Sequence, residues 1–295
     1  MHHDYTDCNL IYHRADAEKN RGYIGLWEKH CAERGLNCGL ILYEDLCGEK
    51  STEGSSAAPC AETAQPLPSF DTLLRLPAGS FVVNRSRDAS LSLFCEEHEI
   101  PVYNGSRLVT LGNDKALACE YVRSLGLHVL QTEASPDRLD TPYPCVMKSA
   151  DGHGGTEVFL LHDAKEEQAI LREHPGKHWL YQELCDTPGK DLRVWLVGEK
   201  IVGAMLRSSD TDFRANYSLG AKAEPYQLNR EETELVRTIT SPLKIGHCGV
   251  DFLFHKGKLI FNEIEDTVGS RMLYRYTDVD VVRLYLEEIL KQKKL

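Results

Sequence analysis

No stretch of the 295 residues approaches the ~20 consecutive apolar residues of a membrane span. The opening "MHHDYTDCNLIYHRADAEKN" lacks an apolar core after a basic start, so no export signal is read there. Positive charge is scarce: 34 Lys and Arg stand against 45 Asp and Glu, a net charge of −11. A non-specific nucleic-acid binder needs a basic face, so neither nucleic acid nor membrane is an expected partner. Ten cysteines run from Cys8 to Cys248 without one C-x-x-C pair, a spacing that suits neither a disulfide framework nor a zinc site. Reduced, largely buried cysteines in the cytoplasm are the expected state. The twelve histidines include no H-E-x-x-H. What is present is an ordinary globular composition, 42% apolar and 27% charged, with chain enough for two or three small domains.

The first third alternates strand and helix. "NLIYHR" reads as a strand, "YIGLWEKHCAERG" as a helix closed at Gly35, and "CGLILYEDL" as a buried strand. That order predicts a parallel α/β unit. From Gly48 to Ser69 the chain is small, polar and Pro-containing, a long insertion or loop. "SFVVNRSRD" resumes as a strand leading to Arg85 and Arg87; "SLSLFCEEHEI" is a helix, "PVYN" a short strand, and a boundary falls near Ser106.

A helix then carries Leu117, Ala118, Tyr121, Val122 and Leu125 on one stripe, with Asn113 as its expected N-cap. Lys115 falls in the first turn, where the helix dipole disfavours a cation by about 0.3–1 kcal/mol. A bound phosphate would explain it; so would Asp114 beside a solvated Lys. "PCVMKS" and "TEVFLLH" read as strands joined by the glycine-rich Asp151–Gly155. No Ser or Thr follows a G-K and no helix follows the glycines, so this is neither a Walker A loop nor a dinucleotide fingerprint. Glycines between two strands let backbone N–H groups close over anionic oxygens, with Lys148 at the end of the entering strand, or else they form a plain hairpin tip. "HWLYQELC" is a strand whose exit could meet an adenine; "DLRVWLV" and "KIVGAML" are strands around a turn at Gly198–Glu199. Arg207 and Arg214 flank a polar loop, either holding a phosphate or facing solvent.

"GVDFLFHKGKLIFNEIED" reads as strand, turn, strand. If Lys256, Gly257 and Lys258 form a three-residue loop, Asp251 pairs with Glu263. Side-chain alternation then sets Glu263, Glu265 and Phe261 on one face and Ile260, Asn262 and Ile264 on the other. A two-residue turn would break that register. Three carboxylates this close either form an exposed acidic edge or hold a hard divalent cation. A helix over "NREETELVRTITSPLKI" precedes the hairpin, and an amphipathic helix over "DVDVVRLYLEEILKQKK" ends the chain.

A Lys at a helix start, a Lys before a glycine hairpin, "YQEL" closing a strand, "GKDLR", "DFRAN", and Asp…Glu-x-Glu on paired strands follow one another in this order. The series resembles the ATP-grasp superfamily, most of all the branch of ribosomal-protein glutamate ligases and lysine-biosynthesis ligases, over roughly Val102 to Leu295. The resemblance implies an α/β fold, α+β in its C-terminal half. Residues 1–106 would be the preceding α/β domain, 107–186 a central subdomain bearing the glycine loop, and 187–295 a C-terminal subdomain bearing the metal site.

It implies an ATP-dependent carboxylate–amine ligase acting through an acylphosphate, with a non-catalytic ATP-binding module or a phosphotransferase as alternatives. Lys115, Lys148, Gly152, Gly154, Gly155, Gln182, Glu183, Leu184, Asp191 and Asn216 would contact ATP. Arg207 and Arg214 would serve catalysis, and Asp251, Glu263 and Glu265 would hold Mg²⁺ or Mn²⁺, as two ions. The third ligand departs from the family, which usually has Asn and then a Pro-Gly turn where this chain has Glu265 in "NEIEDTVGSR". By position alone, Arg85, Arg87 and Arg271 are candidates for a second carboxylate. Expected partners are a small-molecule, amino-acid or peptide carboxylate and an amine; a homodimer is a superfamily-level expectation.

Overall fold

The computed structural model describes residues 7–46, 70–134, 141–152 and 155–293. The insertion read over residues 48–69 lies outside them, as does Gly154. The chain divides into two compact units, Met1–Ser106 and Arg107–Leu295.

The first unit runs β1 (Asp7–Tyr12), α1 (Arg14–Lys19), α2 (Arg21–Ala32), β2 (Asn37–Leu42), α3 (Tyr43–Leu46), β3 (Phe81–Asn84), α4 (Ala89–Glu97) and β4 (Val102–Tyr103). Its sheet has the order β2-β1-β3-β4, every pair parallel. All four residues of the central strand β3 are buried, whereas β2, expected to be buried, is an edge strand and has no buried residue. The strand expected over 38–46 ends at Leu42. There Glu44 receives the backbone N–H of Arg14 and ties a helical turn to the start of α1.

Helix α5 (Ser106–Asn113) starts at the boundary and α6 (Lys115–Ser124) follows in the second unit. That unit continues through β5 (Thr132–Ala134), β6 (Cys145–Ser149), β7 (Val158–Leu161), α7 (Ala164–Glu173) and β8 (Trp179–Glu183). Then come β9 (Lys190–Val197), β10 (Lys200–Ser208), β11 (Lys222–Pro225), α8 (Arg230–Thr240), β12 (His247–His255), β13 (Lys258–Glu265), α9 (Arg271–Tyr276) and α10 (Val281–Gln292). Two antiparallel sheets result, ordered β5-β8-β6-β7 and β11-β10-β9-β12-β13.

The N-cap of α6 is Asp114, not Asn113: its carboxylate accepts the N–H groups of Ala116 and Leu117 at 2.9 and 3.0 Å. A carboxylate there offsets the helix dipole and satisfies two orphan donors, worth about 1 kcal/mol. Asn113 instead ends α5 and donates to Val109 O and Asp266 Oδ1. The buried face of α6 carries Lys115, Ala118, Cys119, Tyr121 and Val122, while Leu117, expected on the stripe, is 40% exposed. One face of the five-stranded sheet packs Leu192, Val194, Val250, Phe252 and Phe261 into a core with α6 and with Val236 and Ile239 of α8. Alternation along β9, β10 and β12 then leaves Asp191, Arg193, Arg207 and Asp251 on the opposite face.

The β12–β13 hairpin reaches the expected pairing by another route. Its turn has two residues: His255 faces Lys258, and both Lys256 and Gly257 have positive φ, 51° and 73°. Two positive φ values define the type I′ turn, whose twist suits adjacent strands. Unbroken, that register would set Asp251 opposite Asn262. A register shift between Asp251 and Phe252 restores Asp251 opposite Glu263. The bulge also overturns the expected facing of two residues. Phe261 pairs with Phe252 and enters the core, and Asn262 turns toward the opposite face.

Candidate active site

Two guanidiniums and three carboxylates interlock on the polar face of the five-stranded sheet. Arg207 grips Asp191 with Nε to Oδ1 at 2.5 Å and Nη2 to Oδ2 at 2.8 Å, and also donates from Nη2 to Asp251 Oδ2 at 2.7 Å. Arg193 grips Asp251 from the other side, Nε to Oδ1 at 2.7 Å and Nη2 to Oδ2 at 2.6 Å, and reaches Glu265 Oε1 at 2.6 Å. Forked, charge-assisted bonds of this kind fix both partners in one plane. Asp251 and Arg207 are 1% and 2% exposed, so each charge depends on its neighbours.

The electrostatics follow from that packing. Burial alone would raise the Asp251 carboxyl, but Arg193 and Arg207 outweigh it and hold the group below its usual value. Asp191, also buried, is pushed up to about 6 despite its guanidinium partner. A quarter of the Glu265 side chain still meets the cleft, yet its enclosure lifts it to about 7 against the pull of Arg193, and Asp251 and Glu263 add to the rise. Ligand oxygens of Asp251, Glu263 and Glu265 lie within 4.8 Å of one another. Hard oxygen donors at that spacing fit a Mg²⁺- or Mn²⁺-sized cation. Because both Asp251 oxygens already accept from arginines, Glu263 and Glu265 offer the more accessible oxygens.

The four-stranded sheet contributes the lysine side. Lys148, the fourth residue of β6, is 4% exposed and donates to Gln182 Oε1 and Asn262 Oδ1, both at 3.1 Å. Burial lowers its pKa. Lys115, in the first turn of α6, donates to the Gly152 carbonyl and stands 3.7 Å from Glu263 Oε2. Lys115 therefore links Gly152, near the start of the glycine-rich connection, to the acidic hairpin.

Arg214 Nη1 meets the Gly155 carbonyl at 2.8 Å while its Nε and Nη2 are held by Asp212. Gly155 has φ +75°, and a Cβ there would lie 2.6 Å from Asn216 Oδ1. Both the backbone angle and the close approach of Asn216 require glycine. At Gly152 a Cβ would fall 2.9 Å from that of Ser149. The walls enclose about 930 Å³, part of it open to solvent, with Lys115, Lys148, Asp191, Arg207, Asp251 and Glu263 among the lining residues. The strand exit Gln182, Glu183 and Leu184 lines the same cleft. There Gln182 Nε2 is tied to Thr132 Oγ1, and the Glu183 N–H to the Gln131 carbonyl.

Every described residue expected to contact ATP, to hold the metal or, with Arg207 and Arg214, to serve catalysis lines this one cleft. Three further arginines are candidates for a second carboxylate. Arg85 belongs to the first unit, its guanidinium 5.3 Å from the Tyr23 ring centre, and Arg87 is paired there with Asp16 at 2.7 Å. Arg271 lies exposed at the start of α9. Two site residues escaped the reading of the sequence. Arg193 stands inside "GKDLR", two residues after Asp191 and so on its face of the strand, and that spacing was the available signal. Asn262 carries no such signal, since only the bulge turns it inward.

Two antiparallel sheets, a glycine-rich connection and an acidic hairpin define the ATP-grasp ligase fold. The solved D-alanine–D-alanine ligase from Bacillus anthracis complexed with ATP shares it over 98% of this chain and 99% of that one, with a TM-score of 0.70 at 13% identity. Residues 123–289 match the RimK-like ATP-grasp domain, and the chain belongs to that family. Over 127 residues it is 35% identical to the uncharacterized protein MG012 homolog of Mycoplasma pneumoniae, covering 43% of this chain and 44% of that protein. Over 143 residues it is 32% identical to N-acetylaspartylglutamate synthase A of Homo sapiens, covering 47% and 37%. The chain thus spans less than half the length of each of these two relatives. Among the described residues, no helix is long and apolar enough to cross a membrane.

Proposed function

We propose that this chain is an ATP-dependent carboxylate–amine ligase that works through an acylphosphate and releases ADP and phosphate. The observation that carries the reading is the facing of Lys115 and Lys148, with Gly152 and Gly155 lining the same cleft, onto a sheet face where Asp251, Glu263 and Glu265 cluster beside two guanidiniums. In this reading 107–186 and 187–295 are the halves that clamp the nucleotide, and 1–106 is the domain that precedes them. The relatives' names, an N-acetylaspartylglutamate synthase and a D-alanine–D-alanine ligase, favour an amino acid or peptide among the substrates.

The protein's task is charge handling. Lys148 and Lys115 present ammonium groups to phosphate oxygens, in a site whose walls strengthen each contact by excluding water. Arg207 is a fixed donor, because Asp191 and Asp251 hold its fork before any ligand arrives; Asp191 acts by positioning Arg207. Arg214 and Asn216 stand at the Gly155 end of the loop, where they would meet the terminal phosphate as the loop closes. Gln182, Glu183 and Leu184 offer the flat strand exit to the adenine.

A substrate carboxylate oxygen forms a bond to the γ-phosphorus as the bond to the β–γ bridging oxygen breaks, giving ADP and the acylphosphate. The amine nitrogen then bonds to the acyl carbon, loses a proton, and phosphate leaves. Mg²⁺ or Mn²⁺ on Asp251, Glu263 and Glu265, when bound, supplies Lewis-acid charge and a template for the phosphates. The test is ATP turnover with amino-acid and peptide carboxylates plus hydroxylamine. ADP with a hydroxamate is expected. AMP with pyrophosphate, or a stable phosphorylated product, would sink the reading.

A further inference from the structure

Three cysteines far apart in the sequence meet in the first unit. Cys8 on β1 pairs directly with Cys38 on β2, and Cys31, in the last turn of α2, completes the group. Their sulfurs all lie within 4.8 Å of one another. Cys8 and Cys31 are buried and Cys38 is half-buried, so the cluster has one side open to approach.

The meeting is a product of topology. In a parallel strand–helix–strand unit the helix runs back against the strands, so its C-terminal end returns to the edge where both strands begin. That is the opposite edge from the strand C-termini, where open α/β sheets ordinarily take their ligands. The absence of C-x-x-C, which argues against a metal site in the linear chain, therefore does not carry over to the folded one.

A disulfide consumes two thiols; here a third sulfur stands within the same 4.8 Å. Three sulfurs around one d¹⁰ cation at the usual metal–sulfur length of about 2.3 Å lie roughly 3.8 Å from each other, so a small contraction of the cluster suffices. Cys31 stands in the last turn of α2, the end of a helix whose dipole favours a nearby cation.

We propose that Cys8, Cys31 and Cys38 form a binding site for a thiophilic d¹⁰ cation such as Zn²⁺, held by three sulfurs, with its remaining position open beside Cys38. Binding displaces the thiol protons to solvent and involves no oxidation or reduction. The site is separate from the proposed ligase chemistry, and its test does not read ATP turnover.

The reduced full-length protein is titrated with Cd²⁺, whose bonds to thiolates absorb in the near ultraviolet. Carboxylates give no such band, so the acidic cluster of the second unit cannot imitate it. One equivalent should produce the band, Zn²⁺ should displace it, and thermal unfolding should shift upward by several degrees. Cys38→Ser, at the half-buried position, should lose the band, while Cys95→Ser should keep it. Independently of any substitution, bound Zn²⁺ should slow alkylation of Cys38, followed peptide by peptide in a mass spectrometer. No band in the reduced protein, a band surviving in Cys38→Ser, or alkylation of Cys38 unchanged by Zn²⁺ would overturn the proposal.

Discussion

Arg193 makes no contact that a cleft-bound ligand would need, yet Asp251 and Glu265 both depend on it. Removing it leaves Glu265 without a guanidinium and Asp251 with only that of Arg207, a loss of the kind that costs about 3–5 kcal/mol. Arg193→Met should therefore lower the unfolding free energy by that order, read as a fall in the urea midpoint. Arg271→Ala, at an exposed position, should stay within about 0.5 kcal/mol of the parent. Equal midpoints for the two variants would refute the bridging role. Lys148 makes the opposite case. Burial lowers its pKa, so the folded chain binds fewer protons there than the unfolded one at pH values below the ordinary lysine value of 10.5. Stability should rise with pH across that window as the unfolded chain gives up its proton too. Lys148→Met should flatten this rise while cutting ATP turnover on the order of 100-fold, as loss of one preorganised donor does. A variant with unchanged turnover, or with the same slope of stability against pH, would contradict the assignment. Lys148 was legible from its place before the glycines. Its hydrogen bond to Asn262 was not, because the partner's direction is set by a bulge 114 residues away in sequence.

The hairpin and the glycine-rich connection show which parts of an element a sequence declares. The acids of β12 and β13 announce themselves by alternation, and their pairing is the one observed. The turn does not: Lys-Gly lacks the Asn or Asp that usually marks a two-residue turn, so a three-residue loop is the natural expectation. The structure satisfies the same pairing with a shorter turn and a bulge, two departures that cancel in register but not in facing. Asn at position 256 is more tolerant of the positive φ found there. Lys256→Asn should therefore stabilise the protein by a few tenths of a kcal/mol, and Gly257→Ala, at φ +73°, should destabilise it by about 1 kcal/mol. Chemical denaturation of the two variants checks the pair; a common sign would exclude the type I′ turn. In the connection after β6, Gly155→Ala meets both a φ of +75° and the Asn216 amide at 2.6 Å. The loop must shift off Asn216, so the apparent affinity for ATP should fall about tenfold or more, beside the roughly 1 kcal/mol of stability that the positive φ costs here as at Gly257. Isothermal titration decides it, and an unaltered affinity would separate Gly155 from the nucleotide.

At the scale of the whole molecule, strand–helix alternation made the first unit legible as parallel α/β, because the period of a buried strand and that of a helix differ plainly. The short strands β5 and β11 and helix α7 were less so, being three, four and ten residues long with no buried residue in α7. Nor could the sequence show that Cys8, Cys31 and Cys38 converge, since only closure of the first strand–helix–strand unit brings them together. Net charge, by contrast, is fully given by the sequence and bears on the last prediction. The chain carries −11, and among the residues lining the cleft the acids Glu183, Asp191, Asp251, Glu263 and Glu265 equal in number the bases Lys115, Lys148, Lys190, Arg207 and Arg214. A nucleotide triphosphate brings further negative charge to a site whose own charges already cancel, inside a protein whose field repels it. A divalent cation relieves both terms at once, so nucleotide and metal should each raise the affinity for the other by the same factor, as linkage requires. Thermal unfolding should then shift more with ATP and Mg²⁺ together than the sum of the shifts with each alone. Chelation should abolish turnover, with Mg²⁺ or Mn²⁺ restoring it. Glu263→Gln and Glu265→Gln should each shrink the excess shift, since each removes one of the more accessible carboxylate oxygens. Equal shifts for ATP with and without the metal would mean that the acids of the hairpin serve the guanidinium lattice alone.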